Sequence, residues 1–181
     1  MNLVIERQRL QIEELEATST IQSGMISIMA LAINNMSIEA KLQRILEVVV
    51  SIPKLELLLK GAIYIVDRVN GVVVLKAQIN LPEKVLETCS KIKFGIGLCG
   101  RTAISGKMIF ASKQEISRQM LCKDNYTDVT HYSIPMVNDS RMVLGLISLY
   151  AGGSHISNSD YQWFYQSLAQ TLVRVIENNS K

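Results

Sequence analysis

The side chains able to do chemistry in this 181-residue chain gather in one central stretch. Cys99 lies in the run FGIGLCGRTAISGK (residues 94–107), Cys122 in the polar stretch that follows, and His131 at the head of HYSIP (residues 131–135). Gly95 and Gly97 permit a tight turn, and residues 98–105 read as one or two helical turns closed by Gly106 in the place of a left-handed cap. Cys99 is thereby set near a helix N-terminus. Backbone amides point outward there and the local potential is positive, which favours a thiolate, a bound anion or a metal-bound sulfur. Cys99 and His131 facing one cavity could ligate haem iron or another soft metal, or His131 could orient an anionic ligand. Two ligands alone do not specify a metal. Tyr132, Cys122, Phe110, Tyr126 and Asp128 join them as the candidate ligand-contacting set, while Cys89 reads as a small buried apolar residue.

Other chemistries fail on spacing or composition. GIGLCG has no lysine-serine/threonine ending and opens no βαβ unit, so it is neither a phosphate loop nor a dinucleotide fingerprint. Ser105, Ser148 and the carboxylates form no defensible triad with a histidine, because His155 lies in the loop before the last helix, apart from the central stretch. Three irregularly spaced cysteines without a CxxC pair argue against a disulfide framework and a closed zinc site, and fit a reducing cytoplasm. The net charge of +3 is spread along the chain, with no run dense enough for a nucleic-acid or polybasic lipid patch. The N-terminus lacks a signal-peptide layout, and the most apolar window, residues 24–36, is short and broken by Ser and Asn; nothing there spans a membrane.

The elements that must position these residues follow from periodicity. Residues 2–35 contain no proline and read as helix, with Ile5, Ile12, Ile26 and Ile33 in one heptad position and Leu15, Met29 and Met36 three residues on. Gln8, Ser19 and Gln22 interrupt this seam. Such a helix either packs on its own domain or forms a parallel dimer coil that transmits a signal. Ser37 is a candidate N-cap for a helix over 38–50, ended by Pro53, with Leu42, Ile45, Leu46, Val49 and Val50 on one face. Residues 55–59 have no clear assignment. Residues 61–67 and 72–78 read as strands joined at Asn70-Gly71, a strong hairpin signal. A short helix over 81–89, a strand at 91–94 and another at 108–111 precede a long polar loop, residues 112–130. Residues 131–137 and 142–150 form a hairpin turning at 138–140, and 158–160 cap a last helix reaching about residue 178.

The segment GLCGRTA followed by HYSIPMVNDSRMVLGLISLY resembles GAF domains, the ligand- and cofactor-sensing modules of bacterial signalling proteins, over roughly residues 38–178. Cys99 is similar to the cysteine of a GLCGRAA-type segment in GAF domains attached to sensor kinases and cyclases, where an HGHYxxPI segment follows. In this chain one histidine and its glycine are missing, and His131 and Tyr132 remain. The free methionine sulfoxide reductases of the same fold carry a GVCG-type segment and a second cysteine in an IACDAxSxSE-type segment, which Gly97-Leu98-Cys99-Gly100 and Met120-Leu121-Cys122-Lys123 resemble. That agreement stops after Cys122, where Lys123 replaces the acid and no Ser-Glu pair follows. Cys122-Lys123 also lacks the adjacent histidine that tetrapyrrole attachment in phytochrome-like GAF domains wants.

The expectation is an α/β (α+β) GAF-like sandwich with a central antiparallel sheet flanked by helices and an N-terminal helical arm. Residues 1–35 form the dimerisation helix and residues 36–181 the domain. The expected function is sensory: a small ligand, haem or another metal cofactor settles over the sheet, and a homodimer passes the signal to a kinase, cyclase or phosphatase output domain in cis or trans, in a two-component setting. One alternative is a thiol-dependent reductase using Cys99 and Cys122. The other is a degenerate dimerisation scaffold whose cavity is filled by Met108, Phe110, Met120 and Tyr126.

Overall fold

Two helices lead the chain and a third closes it, and all three cover the same side of one sheet. The computed structural model describes residues 2–111, 129–152 and 161–179. Helix α1 (Asn2–Ile33) runs unbroken, as its lack of proline allows. Helix α2 (Ile38–Ser51) starts where Ser37 Oγ accepts a hydrogen bond from the Ala40 amide at 3.3 Å. Leu42, Ile45, Leu46, Val49 and Val50 all face inward, the stripe a 3.6-residue period puts on one side. Pro53 stops it and opens one 3-10 turn, Pro53–Leu55, closed by Glu56 in the left-handed region.

Strand β1 (Leu57–Asp67) then pairs with β2 (Val72–Ile79), and the turn between them is fastened by Asp67, whose carboxylate accepts from both the backbone and side-chain amides of Asn70. β1 begins earlier than residue 61 because the 55–59 run crosses a register shift between Leu57 and Gly61. That irregularity hides the two-residue alternation that identifies a strand. Helix α3 (Glu83–Cys89), β3 (Lys91–Lys93), helix α4 (Gly97–Ser105) and β4 (Ile109–Ala111) follow. After them come β5 (Val129–Val137), β6 (Val143–Gly152) and helix α5 (Gln162–Asn179).

The six strands lie in the order β3-β2-β1-β6-β5-β4, and the pairs are antiparallel. Successive side chains on a strand point to opposite faces, so the sheet sorts its residues into two layers. Ile63, Tyr132, Ile134, Met136, Ile147, Leu149 and Ala151 join α1, α2 and α5 in the main core. Ala62, Tyr64, Val73, Leu146 and Tyr150 join Val85, Ile92, Cys99 and Ala103 on the other face. The sheet centre is closed by Gly145, where an added Cβ would meet the Tyr64 carbonyl oxygen. The main core also takes Ile21, Met25 and Ile28 from α1, so it crosses the boundary expected at residue 35.

Candidate functional site

Helix α4 is the lid of the second layer. Gly97, at its first position, has φ 62°, and Gly106 closes it in the left-handed region with its amide bonded to the Thr102 carbonyl at 3.0 Å. Gly100 lets the helix start lie against β3, because a Cβ there would meet the Lys93 carbonyl oxygen. This tight entry sets Cys99 and Thr102, one turn apart, down on the sheet; both are buried.

Below them, β5 and β6 present His131 opposite Tyr150 and Ser133 opposite Ser148. His131 Nε2 lies 2.6 Å from Ser148 Oγ, and its ring stacks on Tyr150 with centroids 4.5 Å apart and planes 11° off parallel. Lys60 Nζ sits 5.3 Å from the centre of the Tyr150 ring. The Ser133 and Ser148 hydroxyls lie toward the Cys99 sulfur, so Cys99 and His131 meet through Ser148. Among the described residues, three buried polar atoms in this layer have no hydrogen-bond partner: Thr102 Oγ1, His131 Nδ1 and Ser133 Oγ.

The electrostatics correct one expectation. Cys99 does stand in the first turn of a helix, yet burial pushes its thiol up to about 11, and the two serine hydroxyls offset this only in part. Burial, followed by the charge of Lys60, pulls His131 down to about 4. Desolvation outweighs the helix terminus, so both groups are uncharged near neutral pH. A serine bonded to a histidine is a nucleophile–base pair that a third group must orient, but among the described residues His131 Nδ1 has no such partner, and Ser148 is buried mid-strand. Among the described residues no group of three or more His, Cys, Asp or Glu side chains is placed to hold a metal. Among those residues Cys99 and His131 supply two donors, and a protein-held soft metal ordinarily takes more.

The structure divides the expected set. Cys99 and His131 come together. Tyr132 and Phe110 lie on the opposite face: Phe110 pairs with Tyr132 across β4 and β5, their rings are 6.5 Å apart, and Tyr132 stacks at 6.1 Å on Tyr165 of α5. The reason is the strand period, which sends His131 and Tyr132 to different layers. Met108 packs against the main core as well, so neither it nor Phe110 belongs to the layer below α4. Cys122, Tyr126 and Asp128, together with Met120 and His155, lie outside the described residues. Sequence reasoning missed Thr102, Ser133, Tyr150 and Lys60, and left Ser148 without a partner. The legible signal was a hydroxyl inside an otherwise apolar run, as in VLGLISLY.

No protein-family model and no curated protein sequence matches the chain. Solved structures do. The GAF domain of a phosphoenolpyruvate-protein phosphotransferase from Coxiella burnetii superposes with a TM-score of 0.71 at 20% identity, over 90% of this chain and 95% of that one. The corresponding GAF domain from Acinetobacter gives 0.70 at 15%, over 88% and 93%. This chain therefore has the GAF fold. Free methionine-R-sulfoxide reductase from Neisseria meningitidis, solved with its substrate, gives 0.71 at 15%, over 88% and 90%, so the fold is one that signalling domains and reductases share.

Proposed function

We propose that this chain is a sensory or regulatory GAF module that binds a small ligand between α4 and the sheet. The observation that supports the reading is a set of three buried atoms, Thr102 Oγ1, His131 Nδ1 and Ser133 Oγ, in one layer and without a hydrogen-bond partner among the described residues. Each such atom costs about 1–3 kcal/mol if left unmade, and a ligand offering both donors and acceptors removes that cost. The layer is coupled to the helices by β5 itself. Tyr132, between His131 and Ser133, stacks on Tyr165, so a ligand that shifts β5 shifts α5. The signal passes from there to a kinase, cyclase or phosphatase domain, in cis or trans, in the cytoplasm. Among the described residues no helix is long and apolar enough to cross a membrane.

A metal or haem held by Cys99 and His131 is the coloured version of this reading, and an absorption spectrum before and after reduction tests it. Native mass spectrometry tests the general case. The protein purified from its own host carries an added small-molecule mass, which is lost in Ser133→Val. A bare polypeptide mass in both proteins, with no absorption band, refutes ligand binding. The reductase reading draws on the equal superposition with the Neisseria enzyme. It predicts thiol-dependent loss of free methionine sulfoxide that disappears in Cys99→Ser, although a thiol pushed up to about 11 is a poor nucleophile.

A further inference from the structure

The layer beneath α4 is polar without being charged. Its buried polar side chains are Thr102, His131, Ser133 and Ser148, and among the described residues no Asp, Glu, Lys or Arg is buried at all. They are grouped about Cys99. Ser133 and Ser148 face each other across β5 and β6 with their hydroxyls toward the Cys99 sulfur, Thr102 stands one turn along α4 from Cys99, and Ser148 Oγ holds His131 Nε2 at 2.6 Å. Lys60, whose charge acts on His131, is only half-buried and has its Nζ 5.3 Å from the centre of the Tyr150 ring.

Charge and hydrogen-bonding capacity together narrow what such a layer accepts. An ion carried beneath α4 leaves its water behind, and only a counter-charge at the same depth offsets that loss. Among the described residues neither sign finds one there. Burial also keeps Cys99 and His131 uncharged near neutral pH, so neither becomes the missing counter-charge. The three atoms without a partner among the described residues differ in what they offer. Thr102 Oγ1 and Ser133 Oγ are hydroxyl oxygens, which donate or accept. His131 Nδ1 does one or the other, according to which ring nitrogen carries the proton against Ser148. A primary carboxamide answers both cases: it presents an accepting oxygen on one side and two N–H donors on the other, and half a turn exchanges them. A carboxylate only accepts and an amidinium only donates. A sugar brings more hydroxyls than three atoms can pair, and each one left over is costly when buried.

We infer that the ligand proposed to bind between α4 and the sheet is an uncharged molecule bearing a carboxamide, held by Thr102, His131 and Ser133. This rests on the ligand reading, and the experiment separates the two. Acetamide, acetate and acetamidine share one shape and are neutral, anionic and cationic at pH 7. Each is titrated into the full chain at constant ionic strength while the imidazole resonances of His131 are followed, the other histidine being replaced in His155→Gln. Acetamide should move the His131 resonances with an affinity at least about tenfold above either ion, since an unpaired charge costs no less when buried. Thr102→Val keeps the side-chain shape and removes the hydroxyl. It should weaken acetamide by about tenfold while circular dichroism stays as in the parent. Acetate or acetamidine binding as tightly as acetamide overturns the inference, and so does an acetamide affinity unchanged in Thr102→Val. If that variant does not fold, the parent titration decides. The compound released from protein purified from its own host gives a second readout. One that is neutral by electrophoresis at pH 7 and contains nitrogen by accurate mass supports the inference. A charged compound, or a neutral one without nitrogen, overturns the carboxamide class and leaves ligand binding standing. No added mass and no response to any of the three probes overturns ligand binding and this inference with it.

Discussion

Acid should weaken this fold through one side chain, His131. Buried against Tyr150 and Ser148, its imidazole is held at about 4, below its ordinary 6.5, first by desolvation and then by the Lys60 charge. Between those two values the unfolded chain takes up a proton that the folded chain refuses. The unfolded state then binds more protons, so stability is fully present above about pH 6.5 and is lost as pH falls toward 4. At about 1.4 kcal/mol for each tenfold change in proton affinity, the loss amounts to roughly 3 kcal/mol, a large share of the 5–15 kcal/mol typical of a domain. Carboxylates titrate in part of the same window, so the assay is a difference. Urea unfolding of wild type and His131→Gln is followed by circular dichroism from pH 7.5 to 4, with a chelator present. The stability gap between the two should close by about 3 kcal/mol as pH falls. Parallel curves refute the reasoning. If the glutamine variant does not fold, the wild-type imidazole resonances decide: a His131 ring that titrates near its ordinary value contradicts the burial argument directly.

Four further outcomes are expected. Ile28→Ala, in the buried side of α1, should cost about 2–5 kcal/mol, whereas Ile26→Ala, two residues away and exposed, should change the unfolding free energy of the single chain by less than about 0.5 kcal/mol. Gly145→Ala should destabilise strongly or abolish soluble expression, because its Cβ meets the Tyr64 carbonyl in the middle of the sheet; an unchanged thermal midpoint would contradict that packing. Ser37→Ala should remove the α2 cap and about 1 kcal/mol, read by urea midpoint. Cys99 should react with a thiol reagent only as fast as the chain opens, since burial keeps it protonated; rapid labelling at pH 7, assigned to Cys99 by peptide mass mapping, would overturn this.

Much of the fold was legible in local chemistry. Ser37, Pro53, Asn70-Gly71 and Gly106 each act within a few residues of themselves, so the cap, the stop, the hairpin and the left-handed closure could be read where they stand. The inner face of α2 followed from its period alone. Residues 55–59 were not legible, because a 3-10 turn, a left-handed Glu56 and a register shift come in sequence there and no period survives them. On α1 the seven-residue line was visible, but the helix carries a second apolar stripe, and only packing shows that Ile21, Met25 and Ile28 are the ones its own domain takes. For the site, spacing and the family resemblance brought Cys99 and His131 into consideration. They could not supply Ser148, whose role arises from its pairing opposite Ser133 across β6 and β5. Tyr132 shows the converse limit. Sequence adjacency to His131 suggested a shared cavity, while a pleated strand places neighbours back to back.

That back-to-back arrangement has an evolutionary consequence. On β5, His131 and Ser133 face the layer beneath α4, while Tyr132, Ile134 and Met136 belong to the helical core; on β6, Ser148 and Tyr150 alternate in the same way with Ile147, Leu149 and Ala151. Two selective pressures are thereby written into one stretch of chain at alternate letters. Substitutions at the letters beneath α4 can alter the chemistry of that layer while the core letters go on folding the domain. A lineage of this fold can therefore change its chemistry by drift at a handful of interleaved positions, and two descendants can keep one shape while sharing few residues.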